Sequence, residues 1–190
     1  MLKIRYNAPV VLTFAIVSLL TLPLNWLTAG WTTPHLFTVY RCSLLDVLAY
    51  VRFFGHVLGH SNWAHYMNNM LLMLLVGPPL EEKYGSRSLL LFIAATALAT
   101  GLAQFIFFPG KGLLGASGVV FMMIVLSSFT GVSRGSIPLT TILVAALYLG
   151  QEVFAGLRGE DGISQLTHII GGVCGIIVGF TASTQRRTRR

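Results

Sequence analysis

Gly115-Ala116-Ser117-Gly118 opens an apolar run that extends from Val119 to Phe129. This stretch sets one hydroxyl among small residues at the start of a segment apolar enough to lie in a membrane. A second stretch, Gln165-Leu166-Thr167-His168, opens the last apolar run of the chain in the same way. A candidate nucleophile and a candidate base therefore each lie at the start of a predicted membrane helix.

The composition identifies the surroundings of the chain. Hydrophobic residues make up 54% and charged residues 10%, with a mean hydropathy of +0.74, whereas soluble domains carry about 25% charged residues. Such a chain cannot cover itself with polar surface, so a lipid bilayer is its expected partner. The net charge of +7 lies at span ends and in a tail. This pattern favours positive-inside topology and anionic headgroups over nucleic-acid binding.

Six apolar segments predict an all-α polytopic membrane protein that forms a single domain over residues 1–190. The predicted spans are residues 8–27, 63–80, 89–108, 115–132, 137–154 and 165–182, followed by a basic cytoplasmic tail at 183–190. Turn residues predict breaks at 77–79, 85–86, 109–112, 131 and 135–138. For residues 8–27, a cleaved signal peptide is the alternative to a span.

Residues 30–61 have a different character from the spans. They contain aromatic residues and isolated charges, but no piece long enough to cross a bilayer. This pattern is typical of helices that lie in the plane of the membrane interface. Cys42 in this loop and Cys174 in the last span are predicted at different depths, which argues against a disulfide. No Cys/His cluster has the spacing of a zinc site, so we expect no metal.

The distribution of basic residues orients the spans. With the N-terminus inside, nine Lys and Arg residues fall on inner segments and four on outer ones. The positive-inside rule therefore predicts that both termini are cytoplasmic. The inner set is Lys3, Arg5, Lys83, Arg87, Arg134, Arg186, Arg187, Arg189 and Arg190, and the outer set is Arg41, Arg52, Lys111 and Arg158.

Spans two, four and six then run from the outer to the inner side, and each has polar residues near its start. His65 and Asn69 lie one turn apart in span two, Ser117 in span four and His168 in span six. At about 1.5 Å per residue, all four lie within roughly 10 to 12 Å of the outer ends of their helices. Polar groups in a span are costly and indicate function. The inner halves of these spans are apolar, which argues against a channel or transporter.

Glycines predict a close approach of spans four and six. Gly171, Gly175 and Gly179 form a stripe of small residues that continues the face of His168. Span four presents Gly115 and Gly118 around its serine. A packing stripe without chemistry is the alternative interpretation, but this stripe has a histidine at its top.

The same residues suggest acyl-transfer chemistry. A serine hydroxyl is a weak nucleophile until a base removes its proton, and His168 is suited to do so and later to protonate a leaving amine. No acidic residue lies near Ser117 or His168 in its own span, so we expect a dyad. Amides at the start of span four, with the side chains of His65 and Asn69, are candidate donors to an oxyanion. Buried, satisfied polar groups are the structural alternative.

The pattern resembles the rhomboid intramembrane serine proteases over about residues 51–180. Each motif is weak alone, but their order and spacing on a six-span chain are specific. The matching residues are Gly115-Ala116-Ser117-Gly118 for GxSG, His168, Gly171 and Gly175 in the last span, His65 and Asn69 in the second, Glu81, Gly85 and Ser86 at its inner end, and His56 and His60 in the first loop.

The resemblance implies a six-transmembrane-helix rhomboid-like bundle with an interfacial first loop. It implies a serine endopeptidase that cleaves single-pass transmembrane proteins near the outer end of their span, without a cofactor. Its Ser117–His168 dyad would open to the outer face through a water-filled cavity, with an oxyanion site from the Ser117 amide, His65 and Asn69. Span five and residues 155–164 would form a lateral gate and cap. An inactive client-binding relative is the alternative, although such relatives typically lack Ser or His.

Two positions depart from the family pattern. The first loop has Val51-Arg52 where the family often has Trp-Arg, and Phe121 stands where a Tyr is common, beneath the histidine ring. We expect Arg52 to keep a structural role and Phe121 to stack on His168.

Other polar residues have simpler expected roles. We expect His56 and His60 to tie loops down by hydrogen bonds, and Glu81 and Glu82 to pair or cap at the cytoplasmic surface. No mitochondrial presequence is recognisable in the sequence, so a prokaryotic cell (inner) membrane is the expected location.

Overall fold

The structure is a computed structural model that describes residues 5–129, 136, 138–140, 142–143, 146–147 and 162–188. This described part is helical, without a β-strand. Its seven helices are α1 (Pro9–Leu27), α2 (Thr32–Leu36), α3 (Val47–Gly55), α4 (Trp63–Tyr84), α5 (Ser86–Phe107), α6 (Ser117–Ser128) and α7 (Gly162–Thr188). By length and composition, α1, α5 and the Gln165–Ala182 part of α7 can cross a membrane. The predicted all-α membrane class is confirmed.

Some predicted boundaries differ from the observed ones. Helix α6 covers 12 residues of the predicted 115–132, and it begins only at Ser117 because Gly115 has a φ of +126°, which is not helical. Helix α7 extends to Thr188, so residues predicted as the start of a tail continue the helix. The predicted fifth span, 137–154, lies largely outside the described residues, as do residues 155–161 of the predicted cap.

The turn predicted at 77–79 is wrong. Helix α4 passes through Pro78 and Pro79 and ends at Gly85, whose φ is +84°. A helix can continue through proline where neighbouring groups satisfy the freed backbone carbonyls. The continuous helix also keeps Gly77 and Glu81 one turn apart on one face, and both of these residues contact α1.

Glu81 connects the inner end of α4 to the first turn of α1. Its two carboxylate oxygens accept the backbone N–H groups of Val10 and Val11 at 2.9 and 3.0 Å. The first N–H groups of a helix have no partner within the helix, and the helix dipole favours a negative charge there. The expectation that Glu81 acts as a cap is therefore confirmed.

Helix α6 lies at the centre of the bundle. Its main contact is with α7, and it also packs against α4 and α5. Val119, Met122, Met123 and Leu126 are completely buried. A helix that is apolar on every side is buried rather than amphipathic, so neighbouring helices surround α6 and fix the position of its first residue.

Arg52 organises the first loop. It is 1% exposed, and its Nη1 donates to the carbonyl of His35 at 3.2 Å. Its Nη2 donates to Cys42 Sγ at 3.1 Å and to the Asp46 carboxylate, and its guanidinium lies 4.6 Å from the centre of the Tyr40 ring. The hydrogen bond from Arg52 holds the pKa of Asp46 below its usual value. Arg52 therefore has the structural role expected of it.

Candidate active site

The loop before Ser117 is held in place from three directions. Leu113 of this loop exchanges two backbone hydrogen bonds with Val39, each 2.9 Å long. The Gly115 N–H donates to the carbonyl of His56 at 2.9 Å. The carbonyl of Lys111 accepts a hydrogen bond from Gln104 Nε2 at 2.8 Å. The first residue of α6 is thus fixed relative to the first loop and to α5.

Gly115 allows the ring of His65 to approach this loop. A Cβ atom at Gly115 would lie 2.8 Å from both Cε1 and Nε2 of His65, closer than side-chain contacts allow. The φ of +126° also favours glycine. The Nε2 edge of His65 therefore lies against the chain two residues before Ser117.

Helices α6 and α7 touch through their backbones. A Cβ at Gly171 would overlap the carbonyl of Gly118, and one at Gly175 would lie 2.6 Å from the Met122 carbonyl oxygen. At Gly179, a Cβ would collide with the ring of Phe129. The glycine stripe thus brings the two backbones into contact over about one turn, at Gly171 and Gly175, and continues as a contact with a side chain at Gly179.

His168 lies on the face of α6 that begins with Ser117. Its ring stacks on Phe121 with centroids 4.1 Å apart and ring planes 6° apart. Phe121 follows Ser117 by one turn, so the two share a face. The methyl of Thr167, the residue before His168, lies 3.0 Å from the Cβ position of Gly118. The Phe121–His168 and Gly118–Thr167 contacts therefore place the Ser117 hydroxyl and the His168 imidazole at the same end of the α6–α7 contact.

The remaining predicted donors lie on α4. His65 is half-buried, and its Nδ1 lies 3.1 Å from Ser61 Oγ. Asn69 is 6% exposed, and its Nδ2 donates to the carbonyl of His65 at 2.9 Å, within its own helix. The structure thus gathers His65, Ser117 and His168, with Asn69 one turn along α4 from His65.

His56 and His60 tie neighbouring segments together by hydrogen bonds. His56 Nε2 donates to the Ala97 carbonyl at 3.0 Å and His60 Nδ1 donates to the Leu58 carbonyl at 3.1 Å. Burial lowers the pKa of each to about 4, and the charge of His65 adds to this effect at His60. Both rings are therefore neutral near pH 7, and their expected structural role is confirmed.

Three further residues contribute to this region although no sequence motif marks them: Thr100, Thr167 and Ser61. The methyl groups of Thr100 and Thr167 each lie 3.0 Å from the Cβ position of Gly118, and the Ser61 hydroxyl contacts His65. The position of Thr167 directly before His168 is the one signal in the sequence that points to it. Thr100 and Ser61 carry no motif, because their role depends on how separate segments meet.

The chemistry available here is that of a hydroxyl, imidazoles and helix N–H groups. The first N–H groups of α6 have no acceptor within the helix, and they carry the positive end of its dipole. Among the described residues, no three His, Cys, Asp or Glu side chains are placed to hold a metal ion. The arrangement suits nucleophilic attack with stabilisation of a developing negative charge.

Fold and site define a polytopic helical membrane protein with a serine and a histidine where two helices touch. The chain belongs to the rhomboid family, since the model of the Rhomboid domain matches residues 48–185.

The chain is similar to three named relatives. It is 32% identical over 147 residues to Rhomboid-related protein 2 of Mus musculus (68% of this chain, 47% of that one). It is 28% identical over 133 residues to Rhomboid protease GlpG of Pectobacterium atrosepticum (68% of this chain, 47% of that one). It is 22% identical over 144 residues to Rhomboid-like protein 11, chloroplastic, of Arabidopsis thaliana (68% of this chain, 51% of that one). The chain spans about half the length of these relatives.

Proposed function

We propose that this protein is an intramembrane serine endopeptidase in which Ser117 is the nucleophile and His168 the general base and acid. The observation that carries the proposal is the flat stacking of His168 on Phe121, one turn from Ser117, beside the Gly118–Gly171 contact. Family membership supports it, and one similar protein is named a protease.

The reaction proceeds in two halves. His168 takes the proton of the Ser117 hydroxyl as Oγ attacks the carbonyl carbon of the scissile peptide bond, which gives a tetrahedral oxyanion. The carbon–nitrogen bond then breaks, and His168 gives the proton to the leaving amine. Water attacks the resulting ester with the help of the same imidazole, which releases the acid and restores Ser117. Stacking on Phe121 holds the plane of the imidazole, the task that a carboxylate performs in a triad.

The oxyanion receives hydrogen bonds from both sides of the serine. The Ser117 N–H is at the first turn of α6, where helix N–H groups lack internal acceptors. His65 contributes from Nε2, the atom that lies against Gly115. Asn69 uses one N–H on its own helix, and an amide nitrogen has a second to offer.

The finer topology belongs to the same proposal. We propose six spans, cytoplasmic termini and a site open to the outer face, on the basis of the basic-residue distribution. The substrates are single-pass transmembrane proteins cut near the outer end of their span. Span five and residues 155–164 form the gate and cap. A prokaryotic cell membrane is the proposed location, and the similar proteins come from both a bacterium and eukaryotes.

The test is cleavage of a single-pass membrane substrate by purified protein in detergent. Wild type is compared with Ser117→Ala, His168→Ala and the control Ser127→Ala, whose hydroxyl bonds to Ile124 at the other end of α6. We expect wild type and the control to cut, and each of the other two to lose at least about 10³-fold in rate. Equal cleavage by Ser117→Ala would refute the assignment. Substrate that copurifies with wild type but stays uncut would favour the inactive client-binding alternative.

A further inference from the structure

The residue before α4 fixes the direction of a short hydrogen-bond chain. Asn62 is the N-cap of α4, and its Oδ1 accepts the N–H of His65 at 2.9 Å. Because the cap uses the amide oxygen, the amide nitrogen points the other way, and Nδ2 lies 3.3 Å from Ser61 Oγ. An amide nitrogen can only donate. Asn62 is therefore the donor and Ser61 the acceptor in this contact.

Ser61 passes this direction on to His65. Its Oγ lies 3.1 Å from His65 Nδ1, and a hydroxyl that accepts one hydrogen bond still has its own hydrogen to donate. If Ser61 donates, Nδ1 is the unprotonated nitrogen and the ring hydrogen sits on Nε2. In the opposite arrangement, Ser61 accepts from both Asn62 and His65 and turns its hydrogen to solvent. Hydrogen positions follow from such networks, and only the first arrangement uses the hydrogen of Ser61 within the network.

The consequence appears at the other edge of the ring. Nε2 lies 2.8 Å from the Cβ position of Gly115, in the loop that leads to Ser117, and the Gly115 N–H is already bonded to His56. An edge-on contact with His60, at 5.0 Å between centroids, also restrains the ring. An Nε2–H therefore faces the place where the oxyanion forms, whereas a bare Nε2 would present a lone pair to it and repel the negative charge.

We propose that Ser61 is a positioning residue that holds His65 in the Nε2–H tautomer and so readies its hydrogen for the oxyanion. This inference rests on the proposed function, because it assumes that an oxyanion forms beside Ser117. Asn62 sets the direction of the hydrogen bonds and Ser61 transmits it, while neither touches the substrate.

The tautomer can be read directly by ¹⁵N NMR of histidine-labelled full-length protein in micelles near pH 8. His65 is assigned from the signals that disappear in His65→Gln. We expect the hydrogen on Nε2 in wild type and in Ser61→Thr, which keeps the hydroxyl. In Asn62→Asp one carboxylate oxygen still accepts the His65 N–H, so the helix cap remains. The second carboxylate oxygen replaces the amide nitrogen and accepts a hydrogen bond from the Ser61 hydroxyl. Ser61 Oγ then accepts from Nδ1–H of His65, and the tautomer of His65 reverses. A wild-type hydrogen on Nδ1, or no change in Asn62→Asp, would overturn the inference.

The kinetic counterpart separates positioning from folding. Because an oxyanion donor acts in the transition state, Ser61→Ala is expected to lower kcat by about 3- to 10-fold with KM within about twofold, the scale of one net hydrogen bond. Ser61→Thr restores kcat, and Asn62→Asp loses at least as much as Ser61→Ala. The matched control is Ser43→Ala, an exposed serine of the same loop whose Oγ accepts from the Leu45 N–H.

The NMR and kinetic experiments together distinguish an error in the role of Ser61 from an error in the proposed function. An unchanged kcat in Ser61→Ala, with wild type active, would refute the role of Ser61. Absence of cleavage by wild type would refute the proposed function, while the NMR arm still decides the tautomer of His65.

Discussion

The α6–α7 contact and the first loop are held together by different forces. Across α6 and α7, glycine backbones touch carbonyl groups and leave no room for a single added carbon. In the first loop, Arg52 donates hydrogen bonds to a carbonyl, a thiol and a carboxylate, and its guanidinium lies over an aromatic ring. The first arrangement depends on shape and the second on charge and hydrogen bonds.

The candidate site draws on both regions. His168 is placed by the α6–α7 contact, whereas the loop before Ser117 is bonded to Val39 and His56 of the first-loop region. A change of shape in the helix contact has no flexible side chain to absorb it. A change in the first loop removes one of several bonds, so its effect should be graded. We therefore expect the largest loss of stability from a change in the helix contact and smaller losses from changes elsewhere.

The largest effect is expected from Gly171→Ala. The added carbon meets the carbonyl of Gly118, which is backbone and cannot rotate away, so α6 and α7 must separate. We expect a loss of about 3 kcal/mol or more in the free energy of unfolding, although alanine is the better helix former. Cleavage should fall more than about tenfold. Gly110→Ala is the control, since nothing lies within 4 Å of its Cβ position. Wild-type melting and activity in Gly171→Ala would contradict the steric account.

The second effect concerns Arg52→Ala in the first loop. This change removes the donor to His35, Cys42 and Asp46 at a site that is 1% exposed. We expect a loss of about 2 to 3 kcal/mol in the free energy of unfolding. Arg52→Lys should recover only part, because an ammonium lacks the planar fork. The exposed Arg41→Ala serves as the control, and if it were equally destabilising, net charge rather than the local bonds would be responsible.

Acid should weaken the first-loop region more than the helix contact. The pKa of His56 and of His60 is about 4 in the folded protein, whereas an unfolded histidine titrates near pH 6.5. The stability from burying them neutral is therefore complete above about pH 6.5 and is lost as the pH falls toward 4. At pH 5 the expected loss is about 2 kcal/mol for each ring. The melting temperature of wild type should fall from pH 7.5 to 5, and that of His56→Gln should fall less. An equally reduced fall in His35→Gln would contradict the assignment.

The smallest effect tests whether a side chain can relieve a glycine contact where a backbone cannot. A Cβ at Gly77 would lie 2.8 Å from a methyl of Val11. We expect Gly77→Ala to cost about 1 kcal/mol and the double variant Gly77→Ala/Val11→Ala to show favourable coupling of about 0.5 to 1 kcal/mol. Additive losses in this double-mutant cycle would show that the α1–α4 contact is as rigid as the α6–α7 contact.

The sequence predicted the helical class because long apolar runs and their breaks directly reflect the bilayer. It also placed His168 on a glycine stripe, because a spacing of four residues defines a helix face. The continuation of α4 through Pro78 and Pro79 was missed, since its support comes from contacts with α1. The partners of Glu81, Arg52 and Ser61 could not be predicted either, because each depends on where a distant or irregular segment of backbone lies.

The central claim, that His168 activates Ser117, is tested most directly by labelling with a fluorophosphonate, which needs no knowledge of the substrate. Protein in detergent is exposed to the probe, and the modified residue is located by mass spectrometry in wild type, Ser117→Ala and His168→Ala. The account predicts label on Ser117 in wild type, none in Ser117→Ala and a strongly reduced rate in His168→Ala. Label on another serine, or an unchanged rate in His168→Ala, would contradict it.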